Sequence, residues 1–186
     1  MKIFSVSGAI VASFDLDYDE TPIATAIKNW KRVPQGQDVI DAEYVKRGVV
    51  SYERNVDFLE EAKLTKLRQN FQKCCDLYTE KFNLDKVVIT KSWFNILYLG
   101  SEFQLHNHTL DSTVLVGIYY FKIGKGSCPL IIEQSDKPFF KLRPYNGRLI
   151  ILPGWIKHGV EINKSLERGS ISFNTNYRKE NNDRRI

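Results

Sequence analysis

From Val87 onward the chain is a succession of short apolar or alternating runs, and this constrains its fold more than any other feature. The runs read VVITKSWFNILYL, FQLHNH, TVLVGIYYFKI, PLIIEQ, FFKLRP, GRLIILP, IKHGVEI and GSISFNTNY. Turn-rich pieces such as GKGS, QSDKP, PYNG, LPGW and NKSLERG separate them. Runs of this length, rich in β-branched and aromatic residues and bounded by Gly, Pro, Asn and Ser, are strand signals. Eight such strands at close spacing predict a two-sheet barrel or jelly roll.

The first 86 residues have a different pattern. SFDLDYD alternates strictly, with Phe14, Leu16 and Tyr18 against Asp15, Asp17 and Asp19, and predicts a strand. That pattern favours a mature strand over a secretory leader. ETPIATAIKNWKRV predicts a helix with Thr21 as N-cap, Pro22 at the first helical position, and Ile23, Ile27 and Trp30 on one face. Residues 35–57 lack a sustained period and read as loop with short extended pieces; from its length and polarity, PQGQDVIDAEYVKRGVVSYERN is a candidate lid. FLEEAKLTKLRQNFQKCCDLYTEKF predicts one long helix, with Leu64, Leu67, Phe71, Cys75, Tyr78 and Phe82 recurring every three or four residues and Asn83 and Asp85 at its end.

At 186 residues the chain suits a single domain, 1–186. Residues 1–86 would form the N-terminal strands and supporting helices, 87–177 the core, and 178–186 a basic tail. Cys74 and Cys75 are adjacent and Cys128 stands alone, neither a zinc knuckle nor a redox pair, so buried thiols in a cytoplasmic protein are expected. No apolar run is long enough for a membrane span. The net charge of +5 is scattered outside the tail, so a nucleic-acid partner is not expected.

All three histidines of the chain fall in the strand-rich half, as His106, His108 and His158. In an extended strand residues i and i+2 face the same way, so LHNH presents two imidazoles on one surface. Two ligands from one strand and a third from a later one make a facial set with positions left open, as at non-haem Fe(II) centres with two histidines and a carboxylate. Satisfied core or surface histidines are the plainer alternative. Asp111, three residues beyond His108, is a competing third ligand. In RGSISFN, Arg168, Ser170, Ser172 and Asn174 share a face opposite Ile171 and Phe173, which predicts a barrel with a polar interior and an apolar exterior under helices. Ten residues after His158, Arg168 would return beside the His158 strand, where a buried guanidinium suits a carboxylate. A salt bridge to Glu161 or Glu167 is the alternative.

Residues 87–177 resemble the 2-oxoglutarate/Fe(II)-dependent oxygenases, in particular their small bacterial and tailed-phage members similar to prolyl hydroxylases. The segments that carry the likeness are SWFNILYLGSEFQLHNH, VGIYYFK, NGRLIILPGWIKHGVEIN and RGSISFN. The resemblance implies a double-stranded β-helix (jelly roll), α+β but mainly β, with supporting N-terminal helices. His106 and His158 match the iron histidines, Arg168 the residue holding the distal carboxylate of 2-oxoglutarate, and Tyr120 a tyrosine bonded to the same carboxylate. Asn95, Ser170 and Asn174 match polar lining positions. His108 stands where most relatives have a carboxylate, although the small bacterial and phage group often shows HxH. Leu97 stands where Tyr is common, and Tyr98 has the opposite parity.

The implied cofactors are Fe(II), 2-oxoglutarate and O2. The implied reaction decarboxylates 2-oxoglutarate to succinate while hydroxylating a substrate, such as a peptidyl proline or a small molecule. A three-histidine enzyme of another class (zinc hydrolase, hydratase or oxoglutarate-independent dioxygenase) and a non-catalytic jelly-roll binding module stay open.

Overall fold

The structure is a computed structural model describing residues 1–30, 45–51, 57–135 and 137–179, without the side chains of 45–50 and Asp111. Its strands are β1 (Lys2–Val6), β2 (Ala9–Asp15), β3 (Val45–Val50), β4 (Val87–His106), β5 (Leu115–Ile123), β6 (Leu130–Ile132), β7 (Phe140–Leu142), β8 (Arg148–Pro153), β9 (His158–Val160) and β10 (Glu167–Tyr177). The helices are α1 (Thr21–Trp30), α2 (Phe58–Glu61) and α3 (Thr65–Lys81). Every strand pairing is antiparallel, in the order β1-β2-β8-β5-β10-β4-β9-β6-β7, with β3 on β4. Among the described residues no helix is long and apolar enough to cross a membrane.

The β1–β2 hairpin turns on Ser7 and Gly8, both at positive φ, the conformation that two-residue hairpins require. The twenty-residue β4 joins the two parts of the sheet. Val87–Tyr98 pairs with β10, whereas Phe103 and His106 pair with β9. Gly100, at φ +84°, lies between these pairings and tolerates a conformation a larger residue would resist. The sequence pattern had predicted two strands here, and they run on as one.

Strand alternation sorts the apolar side chains into two cores. On the outer face Phe94, Tyr119, Leu149, Ile171 and Phe173 pack under the helices. α3 supplies Leu67, Phe71, Cys75 and Tyr78, and the Tyr78 hydroxyl donates to the Ile10 carbonyl at 2.8 Å. Phe71 stacks on Phe173 with ring centroids 5.1 Å apart. The Phe173 ring occupies the space a Cβ on Gly117 would need, so a glycine in mid-strand is a packing requirement. The inner face carries Trp93, Leu97, Ile118, Tyr120, Ile150 and Leu152. The interior is therefore apolar over much of its area, correcting the expected polar lining; β10 contributes the polar strip.

Three local expectations change. β2 ends at Asp15, so Leu16 and Tyr18 lie beyond the strand, where Leu16 donates its N–H to Gly147 rather than to a ladder. α1 begins at Thr21 itself, and the Asp19 carboxylate accepts the Thr21 N–H. The predicted long helix is split between α2 and α3, because Lys63 takes a left-handed φ of +54°. Leu64 then donates to Leu59 and Lys63 to Glu60, the paired bonds that close a helix C-terminus. Asn83 closes α3 the same way, with Leu84 donating to Thr79. Most of the candidate lid and all but the first two residues of the basic tail lie outside the described residues; β3 and Ser51 are the described part of the lid.

Candidate metal centre

The β4–β9 pairing sets His106 directly opposite His158. Their ring centroids are 4.6 Å apart, and His108 lies 5.2 Å from His106 and 5.3 Å from His158. One ring nitrogen from each converges, all within 4.8 Å of one another, so the three can hold a metal ion. Gly159, between His158 and Val160, is needed for this approach, since a Cβ there would meet the Phe103 carbonyl at 2.8 Å.

Two of the three tautomers follow from backbone contacts. Nδ1 of His106 lies 2.9 Å from the Gln104 carbonyl, and Nδ1 of His158 lies 3.1 Å from the Ile156 carbonyl. A carbonyl oxygen only accepts, so Nδ1 carries the proton and Nε2 keeps its lone pair for a metal. Burial lowers the pKa of His106, and lowers that of His158 well below the ordinary range with help from its two histidine neighbours. Neutral imidazole is the ligating form.

His108 reaches the cluster differently from the expectation. β4 stops at His106, and His108 sits beyond it, before the short 3-10 turn Thr109–Asp111. Its backbone N–H donates to Gly154 at 2.8 Å, pinning the loop to the end of β8, and its ring stacks on Trp93. The side chain of Asp111, the competing ligand, lies outside the described residues.

The histidines open onto a cavity with about 430 Å³ of empty volume, open solvent at its mouth included. Arg168, Ser170, Ser172 and Asn95 line its other wall. Asn95 donates from Nδ2 to the Ser172 hydroxyl at 3.0 Å, while its Oδ1 is buried without a partner among the described residues. Asn174 is buried but does not line the cavity. It belongs to the same strip, two residues beyond Ser172, past the end of the space. Arg168 does not lie beside the His158 strand as expected, because β4 stands between β10 and β9. It faces the histidines from the opposite wall.

Arg168 is 2% exposed, and its Nε and Nη2 have no hydrogen-bond partner among the described residues. Its guanidinium lies over the Tyr120 ring, 4.9 Å from the centroid. Both candidate salt-bridge partners are taken: Glu167 pairs with Lys122 at 2.5 Å and Glu161 with Lys141 at 2.6 Å. The Tyr120 hydroxyl is likewise buried with no hydrogen-bond partner among the described residues, and burial raises its pKa while the neighbouring Arg168 opposes the rise. Arg168 thus presents a buried cation to the cavity, with the Tyr120 phenol beside it behind the lining, and no carboxylate among the described residues pairs with the guanidinium. Such a site fits an anion. Trp93 escaped the site reading of the sequence, although it shares the parity of Asn95 in SWFNIL and so faces inward with it.

No protein-family model matches the sequence, and neither does any curated protein. Solved structures do share its architecture. A 2OG-Fe(II) oxygenase family oxidoreductase from Burkholderia pseudomallei aligns with TM-score 0.66 at 12% identity, over 95% of this chain and 88% of that one. HygX from Streptomyces hygroscopicus, with nickel and 2-oxoglutarate bound, aligns with TM-score 0.63 at 9% identity, over 93% of this chain and 84% of that one. A Pseudomonas putida prolyl-4-hydroxylase aligns with TM-score 0.55 at 14% identity, over 91% and 93% respectively. The fold is the jelly roll of those oxygenases.

Proposed function

We propose that this protein is a 2-oxoglutarate- and Fe(II)-dependent oxygenase that hydroxylates its substrate. The observation that carries the reading is the buried Arg168, two of its nitrogens without a partner among the described residues, facing three convergent histidines across one cavity. His106, His108 and His158 would hold the metal. Arg168 would receive the distal carboxylate of 2-oxoglutarate, with the Tyr120 hydroxyl donating beside it and Asn95 and Ser170 forming the polar wall between. When bound, iron with O2 and 2-oxoglutarate supplies the oxidising chemistry, coupling oxidation of the keto acid to insertion of oxygen into a C–H bond. The chain's own part is positional. Along β10 the four steps from Arg168 to Ser172 span roughly 13 Å, room for a short dicarboxylate, and the apolar wall of Ile118, Leu130 and Val160 excludes water beside it.

The solved relatives support this reading, since one of them binds nickel and 2-oxoglutarate on the same fold. A relative that hydroxylates proline makes a peptidyl side chain such as proline the proposed substrate class. A three-histidine zinc hydrolase would use the metal ligands but leave Arg168 without an anion. The test is succinate release from 2-oxoglutarate by anaerobically purified, Fe(II)-loaded protein exposed to air. Metal-dependent succinate formation that His158→Ala abolishes supports the proposal. Tight metal binding with no 2-oxoglutarate binding overturns it.

A further inference from the structure

We infer that Ser172 binds the cosubstrate through its hydroxyl hydrogen, and that Asn95 is the positioning residue that aims it. The inference deepens the oxygenase reading and rests on it. Ser172 lies on β10, shares the inward parity of Arg168 and Ser170, and lines the cavity with them. The ladder sets it opposite Trp93, whose ring centroid lies 6.1 Å from that of His108. Ser172 therefore marks the metal end of the polar strip, as Arg168 marks the deep end. A metal and a guanidinium would hold the two ends of a dicarboxylate, and Ser172 adds a neutral donor beside the metal end.

Hydrogen-bond accounting gives that donor its direction. Asn95 Nδ2 donates to Ser172 Oγ at 3.0 Å, which uses a lone pair of the hydroxyl oxygen and leaves its hydrogen to go elsewhere. Among the described residues this is the one side-chain hydrogen bond Ser172 makes. β10 is paired on both sides, to β4 and β5, so the backbone carbonyls around Ser172 are taken by the ladders. The residue is buried, and the cavity is the direction left. 2-Oxoglutarate presents carboxylate and keto oxygens, all acceptors, and matches a donor there. Turned over about its last torsion, the Asn95 amide would keep the same contact with the roles exchanged. Ser172 would then donate to Oδ1, which is otherwise buried without a partner among the described residues, and would withhold its hydrogen from the cavity. A ligand made of acceptors favours the first arrangement, because the second would set a hydroxyl lone pair against it.

The experiment is calorimetry of 2-oxoglutarate binding to the Mn(II)-loaded protein, with Mn(II) affinity measured separately. Ser172→Thr and Ser172→Val are nearly equal in shape and differ in the hydroxyl. The threonine variant is expected to bind 2-oxoglutarate within about three-fold of wild type and the valine variant about ten-fold or more weakly, since a hydrogen bond to a charged ligand is lost. Mn(II) affinity should stay at the wild-type value in both. Equal 2-oxoglutarate affinity in the two variants overturns the role of Ser172. Asn95→Ala is expected to weaken binding about three- to ten-fold in the wild-type background and to add less than about two-fold to Ser172→Val, where no hydroxyl is left to aim. The same cost in both backgrounds means that Asn95 acts on the ligand directly, and overturns its positioning role. If the valine variant does not fold, Ser172→Ala takes its place. A wild type that binds Mn(II) but no 2-oxoglutarate sinks the oxygenase reading itself, a result distinct from equal affinities in the threonine and valine variants.

Discussion

A guanidinium buried among apolar side chains with two unpartnered donor atoms is costly by several kcal/mol unless an anion joins it. Arg168→Ala removes that partner, so 2-oxoglutarate affinity should fall by roughly 2–5 kcal/mol, about 30-fold or more. Calorimetry with Mn(II) in place of iron measures this, and an unchanged affinity removes Arg168 from the site. The same scale holds the choice of third ligand. His108→Ala should weaken metal binding sharply while Asp111→Ala leaves it near wild type; the reverse result would make the site a two-histidine, one-carboxylate triad. That His106 and His108 come together was legible in LHNH, though not through the strand parity that predicted it, and His158 joins them through the β4–β9 pairing. The reason for the convergence was not legible. His108 is delivered by a loop tied to Gly154, a contact across 46 positions of chain that no local pattern encodes.

At the scale of elements, alternation and helical spacing located almost every strand and helix, because each buries one face and the period records which. They failed where a single backbone torsion decides. Lys63 breaks the second helix at positive φ, a state that lysine sequence statistics do not announce, and Gly100 lets two runs join as one strand. The outer core shows what that alternation accomplishes: Gly117, Phe173 and Phe71 stack in sequence from β5 through β10 to α3. A Cβ at residue 117 would lie 2.0 Å from the Phe173 ring. Gly117→Ala should therefore destabilise the protein by about 1–3 kcal/mol or more through overpacking, visible as a lower urea midpoint. α3 is also tied down by Tyr78, whose pKa burial pushes up to about 12, as it does that of Tyr119. In the unfolded chain tyrosine ionises near pH 10. The unfolded state thus releases protons first, and stability present below about pH 10 should be lost progressively toward pH 12. Tyr78→Phe should lessen that loss between about pH 10 and 12, and an identical pH profile in the variant would show that Tyr78 does not carry it.

Across the whole molecule, the order of strands puts β4 between β10 and β9, so the two walls of the cavity belong to different parts of one sheet. Sequence order suggested that Arg168 returns beside His158. Topology sets them face to face instead, which only long-range pairing determines. The consequence is mechanical. The histidines come from β4, its following loop and β9, while Arg168 comes from β10. A metal ion alone would tie together one wall, whereas metal with 2-oxoglutarate would bridge both. Binding to the folded state alone stabilises by about 2.7 kcal/mol at a hundred times the dissociation constant. In a chain of this size that is worth roughly 5–10 °C in melting temperature. Metal alone should raise the melting temperature, and 2-oxoglutarate should add a second increment only when metal is present, because its chelating end then has a partner. Arg168→Ala should keep the first increment and lose the second, and His158→Ala should lose both. A full second increment in the Arg168 variant would mean that the dicarboxylate does not span the cavity, and that its far end rests somewhere other than β10.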